Sequence, residues 1–347
     1  MNEDKRMDYF GWILSERLFT GTIAWVDAME LSSDDGDEFE PSKEGWLAIF
    51  QRVARVLRES GLEEKYGAAL MFSPNIAPFL ENLGLDGEYK EARDDFSRNR
   101  PFDLGIHARH KDEDLVNTPS FPAIFREDLG LATRFNASSL TEHPPIGTNN
   151  TIKETVDILV EDWFCRLLDE NPGITLAWEN KADYAHKRRF FGSLARMVEF
   201  REALSDKLDE IGRGALLDRH QFCFDTGHLL IFRGTAENTR LAEKEIEEYL
   251  PIFARNIKVF HFQANDGIMD GHVTPFSTAF LDQPSRTRMD IEKLKSNFDF
   301  IRAWIRTCRN TPHPPEQHYF LETGTLPFSL DQYIDFGKEL ALILKDS

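Results

Sequence analysis

The chain has 347 residues, 41% of them hydrophobic, and a formal net charge of −19. That length suits one large α/β barrel, and so acidic a balance gives no long-range attraction to a phosphate backbone, which disfavours nucleic acid as a partner without excluding a local basic patch. Three widely spaced cysteines argue against a disulfide framework, the opening Met1-Asn2-Glu3-Asp4-Lys5-Arg6 carries no signal-peptide pattern, and no apolar run nears a membrane span, so a cytoplasmic protein working away from membranes is expected.

Short apolar runs alternate with longer amphipathic ones along the chain. The strand candidates are Leu18–Val26, Gly67–Phe72, Phe102–Ile106, Leu131–Asn136, Ile174–Trp178, Phe222–Phe224, Ile257–Phe260 and Tyr319–Leu321. Helices are expected over Ser42–Ser60, where Trp46, Ile49, Phe50, Val53 and Leu57 share a face and Gly61 ends the run, and over Thr151–Asp169, Phe190–Leu208, Asn238–Arg255 and Asp290–Cys308. Residues 76–100 read as a second-unit helix with a break at Gly84–Gly87, and Ser329 with Gln332 opens a last helix in a capping-box pattern. Strictly alternating β and α segments call for a parallel sheet, and eight such units call for a closed (β/α)8 TIM barrel. The expectation is one barrel domain over residues 1–347, the barrel proper at about 18–345, with an acidic loop at 32–40 and an insertion at about 276–288.

In such a barrel the chemistry sits at the carboxyl ends of the strands. His107 and then His110 follow the third strand, and His143 lies in the loop after the fourth. The fifth ends in Glu179, the sixth in Asp225-Thr226-Gly227-His228, the seventh runs into His261 and then Asp270-Gly271-His272, and the eighth ends in Glu322. His220, His313 and His318 belong to the opposite end. Imidazoles and carboxylates gathered at one rim are what a divalent metal such as Zn or Mn requires, and a cation removes the cost of burying like charges together. Glu179, Asp225, His261 and Glu322 form the minimal ligand set. Lys187-Arg188-Arg189 is a candidate phosphate contact, and Trp178 with Phe276 a candidate pair for stacking on a sugar face.

The pieces Ala177-Trp178-Glu179-Asn180, Phe224-Asp225-Thr226-Gly227-His228, His261 with Asp270-Gly271-His272, and Leu321-Glu322-Thr323 resemble the xylose-isomerase-like TIM-barrel superfamily, which includes sugar isomerases, sugar epimerases and endonuclease IV. The resemblance is strong between Glu179 and Glu322 and weak before His107. For an epimerase-type member it implies one divalent metal on Glu179, Asp225, His261 and Glu322. The two glutamates then move protons on either face of a ketose through a metal-stabilised enediolate, and His228 holds a substrate oxygen. For an endonuclease IV-like member it implies up to three zinc ions on His107, His143, Glu179, Asp225, His228, His261, Asp270, His272 and Glu322.

Several departures point away from DNA. The loop Ser73-Pro74-Asn75-Ile76 lacks the basic residue expected there, and His107–Asp114 lacks an apolar wedge. The Gly-rich turn after His272 is replaced by Val273-Thr274-Pro275-Phe276, and the aspartate expected soon after His261 is displaced by Phe262-Gln263-Ala264-Asn265; these two, with the insertion before Glu322, depart from both branches and point to a divergent substrate. The leading expectation is therefore an isomerase or epimerase of a small sugar or polyol derivative holding one to three divalent ions. A zinc phosphodiesterase and a metal-binding barrel without catalysis are the alternatives, and oligomerisation through rim helices stays open.

Overall fold

The computed structural model describes residues 8–14, 42–64, 66–72, 86–108, 120–143, 152–181, 192–230, 236–263, 291–310 and 317–321. Eight parallel strands close into a barrel in sequence order: β1 Asp8–Leu14, β2 Tyr66–Phe72, β3 Phe102–His107, β4 Ser139–Glu142, β5 Thr175–Glu179, β6 His220–Asp225, β7 Ile257–Phe262 and β8 His318–Leu321. The barrel closes where Tyr9, Phe10, Gly11 and Trp12 of β1 pair with β8. Around it run α1 Lys43–Glu59, α2 Asp86–Ser97, α3 Phe121–Arg134, α4 Ile152–Leu159, α5 Asp162–Glu170, α6 Leu194–Glu210, the short α7 Thr226–Leu230, α8 Ala236–Phe253 and α9 Ile291–Arg309. No helix among the described residues is long and apolar enough to cross a membrane.

Strand geometry sorts the side chains into two cores, because successive residues face opposite sides of a sheet. Ala69, Met71, Ala177, Cys223, Val259 and Phe320 fill the barrel interior. Their neighbours one residue away, among them Leu70, Trp178, Phe222, Phe260 and Tyr319, face outward into the larger core beneath the helices. Two residues beyond the interior positions 177, 223 and 259 come Glu179, Asp225 and His261, so the same parity that plugs the barrel with apolar groups crowns the plug with ligand-type groups.

Helix α1 illustrates how the outer layer forms. Its apolar residues recur at three- and four-residue spacing. Ser42 caps it, accepting from the Gly45 amide at 3.2 Å, and Gly61 leaves it in the left-handed region at φ 67°. Trp46 of its buried face meets Tyr89 edge-on at 5.2 Å between ring centroids, and Phe72 at 5.7 Å.

Three boundaries differ from the sequence expectation. The first strand is Asp8–Leu14 and not Leu18–Val26, which lies outside the described residues. The run Leu131–Asn136 is the end of α3 and the turn after it, and the fourth strand is the short Ser139–Glu142. The run Thr151–Asp169 is two helices, since Glu161 turns extended (φ −61°, ψ 146°) and its carboxylate accepts from Trp163 Nε1 at 2.6 Å. The acidic loop 32–40, the insertion 276–288 and the helix expected from Ser329 lie outside the described residues.

Trp46 is fully enclosed among Phe50, Phe72 and Tyr89. Trp46→Ala is expected to lower unfolding free energy by about 3–5 kcal/mol, read as a lower urea midpoint at unchanged slope. An unchanged midpoint would show that α1 does not anchor the barrel wall.

Candidate metal centre

Glu179 ends β5 and is 1% exposed. Its two carboxylate oxygens face different partners. Oε2 lies 3.4 Å from His107 Nε2, 2.5 Å from His143 Nε2 and 3.4 Å from Lys181 Nζ. Oε1 lies 3.4 Å from His228 Nδ1 and 3.4 Å from His261 Nδ1. Burial pushes the Glu179 carboxyl up, but the Lys181 ammonium, His143 and His107 outweigh it and hold the group well below the usual carboxylate range. Glu179 is therefore an anion inside the barrel mouth.

Three trios of buried donors converge there, and Glu179 belongs to each: with His107 and His143, with Cys223 and His261, and with Asp225 and His228. Within each trio the donor atoms lie within 4.8 Å of one another. Imidazole, carboxylate and thiol are the donor types of a zinc-like site, and two buried carboxylates beside buried imidazoles fit a cation better than they fit an apolar core. The chain's residues thus fit a divalent metal. Burial raises the Cys223 thiol to about 12, against the pull of His261, so it is protonated without a cation beside it.

A layer of hydrogen bonds fixes these donors. Asn180 and Asp225 pair reciprocally across the β5 and β6 ends. The Asn180 side-chain amide donates to the Asp225 carbonyl at 2.9 Å, and the Asp225 amide donates to Asn180 Oδ1 at 2.6 Å. Gln263 donates to Asp225 Oδ2 at 2.7 Å, and the His228 amide donates to Asp225 Oδ1 at 2.8 Å. His107 and His228 set their Nδ1 atoms against the carbonyls of Ala108 (3.1 Å) and Asn180 (2.8 Å), so each Nδ1 carries the proton; for His107 this leaves the lone pair on Nε2, the atom facing Glu179, whereas for His228 the nitrogen facing Glu179 Oε1 is this same N–H. Gly227 makes room for this layer, since a Cβ there would meet Gln263 Cγ at 2.5 Å.

Of the residues singled out in the sequence, His107, His143, Glu179, Asp225, His228 and His261 come together here. Asp270, His272, Glu322, Lys187, Arg188 and Phe276 lie outside the described residues, as do His110 and His313. Trp178 is corrected. It faces outward from β5, with Phe200 edge-on at 6.1 Å, and its Nε1 donates to His220 Nδ1 at 3.1 Å, so it is wall packing and not a stacking surface for substrate. Its parity is opposite to that of Glu179, and adjacent strand residues cannot share a face. His220 and His318 begin β6 and β8, at the far end from the site, as expected.

Sequence reasoning gives no role to Lys181, Asn180, Gln263, Cys223 or Glu142. Glu179-Asn180-Lys181 reads as a charged exit from a strand, and Gln263 stands where the displaced aspartate is missing. Glu142 ends β4 fully buried, and burial, reinforced by Asp128, raises its carboxyl well above the usual range.

Comparison with known proteins gives the fold. No family model matches the chain, and no curated protein matches it. Solved structures do. A xylose isomerase domain-containing protein from Salmonella typhimurium superposes with a TM-score of 0.54 at 14% identity, covering 99% of each chain. Endonuclease IV from Thermus thermophilus gives 0.51 at 13% identity, over 98% of this chain and 100% of that one. D-Allulose 3-epimerase from Methylomonas sp. gives 0.51 at 11%, over 98% of each. The chain shares the (β/α)8 barrel fold of these structures. The resemblance drawn from the strand-end motifs therefore holds for the architecture, which hosts both epimerases and nucleases.

The His220 environment yields a pH prediction. Burial, with Arg201 and Arg219 nearby, lowers its pKa to about 3. The folded chain keeps it neutral, while the unfolded chain protonates it below about pH 6.5. Its contribution is complete above that pH and is lost as pH falls toward 3. This group alone is expected to remove about 2 kcal/mol of stability between pH 7 and pH 5. His220→Gln should flatten that part of the urea-unfolding profile, and parallel profiles for both proteins would contradict the assignment.

Proposed function

We propose that this chain is a metal-dependent hydrolase of a small phosphoester, with two cation positions bridged by Glu179. The supporting observation is the division of that carboxylate, Oε2 toward His107 and His143 and Oε1 toward His228 and His261. A one-metal centre needs no second set of donors beside the far oxygen, where His261, Cys223 and Asp225 gather. When bound, a pair of divalent ions supplies Lewis acidity to a phosphoryl oxygen and acidifies water.

The chain's own residues hold and orient. Glu179 would offer one oxygen to each position, and Asp225, fixed by Asn180 and Gln263, would add a donor on the Oε1 side. Ala69, Met71, Ala177, Cys223, Val259 and Phe320 close the barrel beneath and exclude water from below. On the sequence motifs alone, Asp270, His272 and Glu322 are proposed as further donors, and Lys187 and Arg188 as counter-charges for phosphate. The charge of −19 favours a small substrate over a nucleic-acid duplex.

One observation favours a second reading. Lys181 Nζ shares Oε2 with the histidine pair at 3.4 Å, which leaves the Oε1 side as the open position. That suits a one-metal isomerase or epimerase of a sugar-like ketose, in which Glu179 and Glu322 exchange protons with carbon.

Equilibrium dialysis against excess zinc, followed by metal analysis, and assay with a chromogenic phosphodiester test the proposal. Two or more ions per chain with turnover are expected, and Glu179→Gln is expected to cut turnover about a hundredfold or more and to lose metal. One ion per chain, with epimerisation of a free ketose and no phosphoester cleavage, would establish the second reading in its place.

A further inference from the structure

Lys181 is 5% exposed, and its ammonium rests on Glu179 Oε2, the oxygen that also faces His107 and His143. Lys181 also acts on the buried Glu142, whose carboxyl burial and Asp128 raise well above the usual range and Lys181 pulls down only in part. No comparable ammonium faces Oε1 among the described residues, where the neighbours are the imidazoles of His228 and His261. The two sides of one carboxylate therefore present unequal electrostatics to an incoming cation.

We propose that Lys181 is a built-in competitor for the cation on the His107–His143 side, so that the two positions load in order, the Oε1 side first. This rests on the reading of Glu179 as a bridge between two metals. A divalent ion entering among His107, His143 and Oε2 meets a unit positive charge within 3.4 Å of the same oxygen and must displace it. In a site of reduced dielectric that repulsion weakens binding by about tenfold or more relative to the opposite side. Lys181 is thus a positioning residue. It sets how many metals the centre holds at a given concentration, and it keeps Glu179 balanced while the second position is empty.

The test is a calorimetric titration of the metal-free full chain with zinc. For the native protein, two binding steps separated by about tenfold or more are expected. In Lys181→Gln the weaker step is expected to tighten by about tenfold or more, while Lys181→Arg, which keeps the charge, leaves the steps apart. Circular dichroism melting confirms that each variant is folded. Should Lys181→Gln not fold, the native titration decides: separated steps support the assignment and two equal steps overturn it. Two steps with the same separation in a folded Lys181→Gln overturn it while leaving the bridged centre intact. Absence of any bound zinc in the native protein overturns the centre and this assignment together.

Discussion

A carboxylate anion in the mouth of the barrel is the constraint on which the rest of the site depends. Glu179 has almost no contact with solvent, and beneath it the interior is apolar. A charge so placed is costly without compensation, and compensation is available only from the rim. Four imidazoles and one ammonium meet the two oxygens there. Of these five groups the ammonium is the one that has no lone pair to offer a metal. A bound cation and Lys181 are alternatives for the same electrostatic duty, which is why the lysine bears on metal number.

Most of the donors are held by ties between strand ends, while His228 sits in the short α7 that follows β6. Asn180 and Asp225 join β5 to β6, while Thr226 and Gln263 join β6 to β7, with Thr226 Oγ1 donating to the Gln263 carbonyl at 2.9 Å and accepting from its amide at 3.2 Å. Such reciprocal bonds between adjacent parallel strands fix the relative height of Glu179, Asp225 and His261. The register agrees, with Asp225 opposite His261 and Glu179 opposite Cys223. A ligand constellation built on strand ends is more rigid than one built on loops, which suits metal positions that must not drift.

Legibility in the sequence follows the strength of each local pattern. Strands β5 to β7 are legible because each contains an apolar run and carries its polar group at the rim, and β8 is legible from its apolar run. Strand β4 is hidden because Ser139, Thr141 and Glu142 leave Leu140 as its lone apolar residue, while Leu129, Leu131, Ala132 and Phe135 nearby are spaced for a helix and belong to one or its exit turn. Trp178 misleads when parity is left out, since a residue beside Glu179 must face the other way. Lys181 escapes because it lies past the strand end, where period-two counting stops and a charge reads as a solvated exit.

The same barrel serves epimerases and nucleases among its structural neighbours, so architecture alone does not select the chemistry. In this chain the distinction reduces to the Oε2 side of one glutamate. With the ammonium seated there, Glu179 serves a single cation and keeps an oxygen whose proton affinity Lys181 depresses, which suits a group that stays ionised while substrate binds. On the bridged reading the ammonium would be displaced, and His107 and His143 would hold the second ion. An anionic substrate shifts the balance toward the second state, since phosphate oxygens compete with Oε2 for the same ammonium. On that reading the position of Lys181 would couple substrate charge to metal number, and a neutral sugar and a phosphoester would meet the centre in different states.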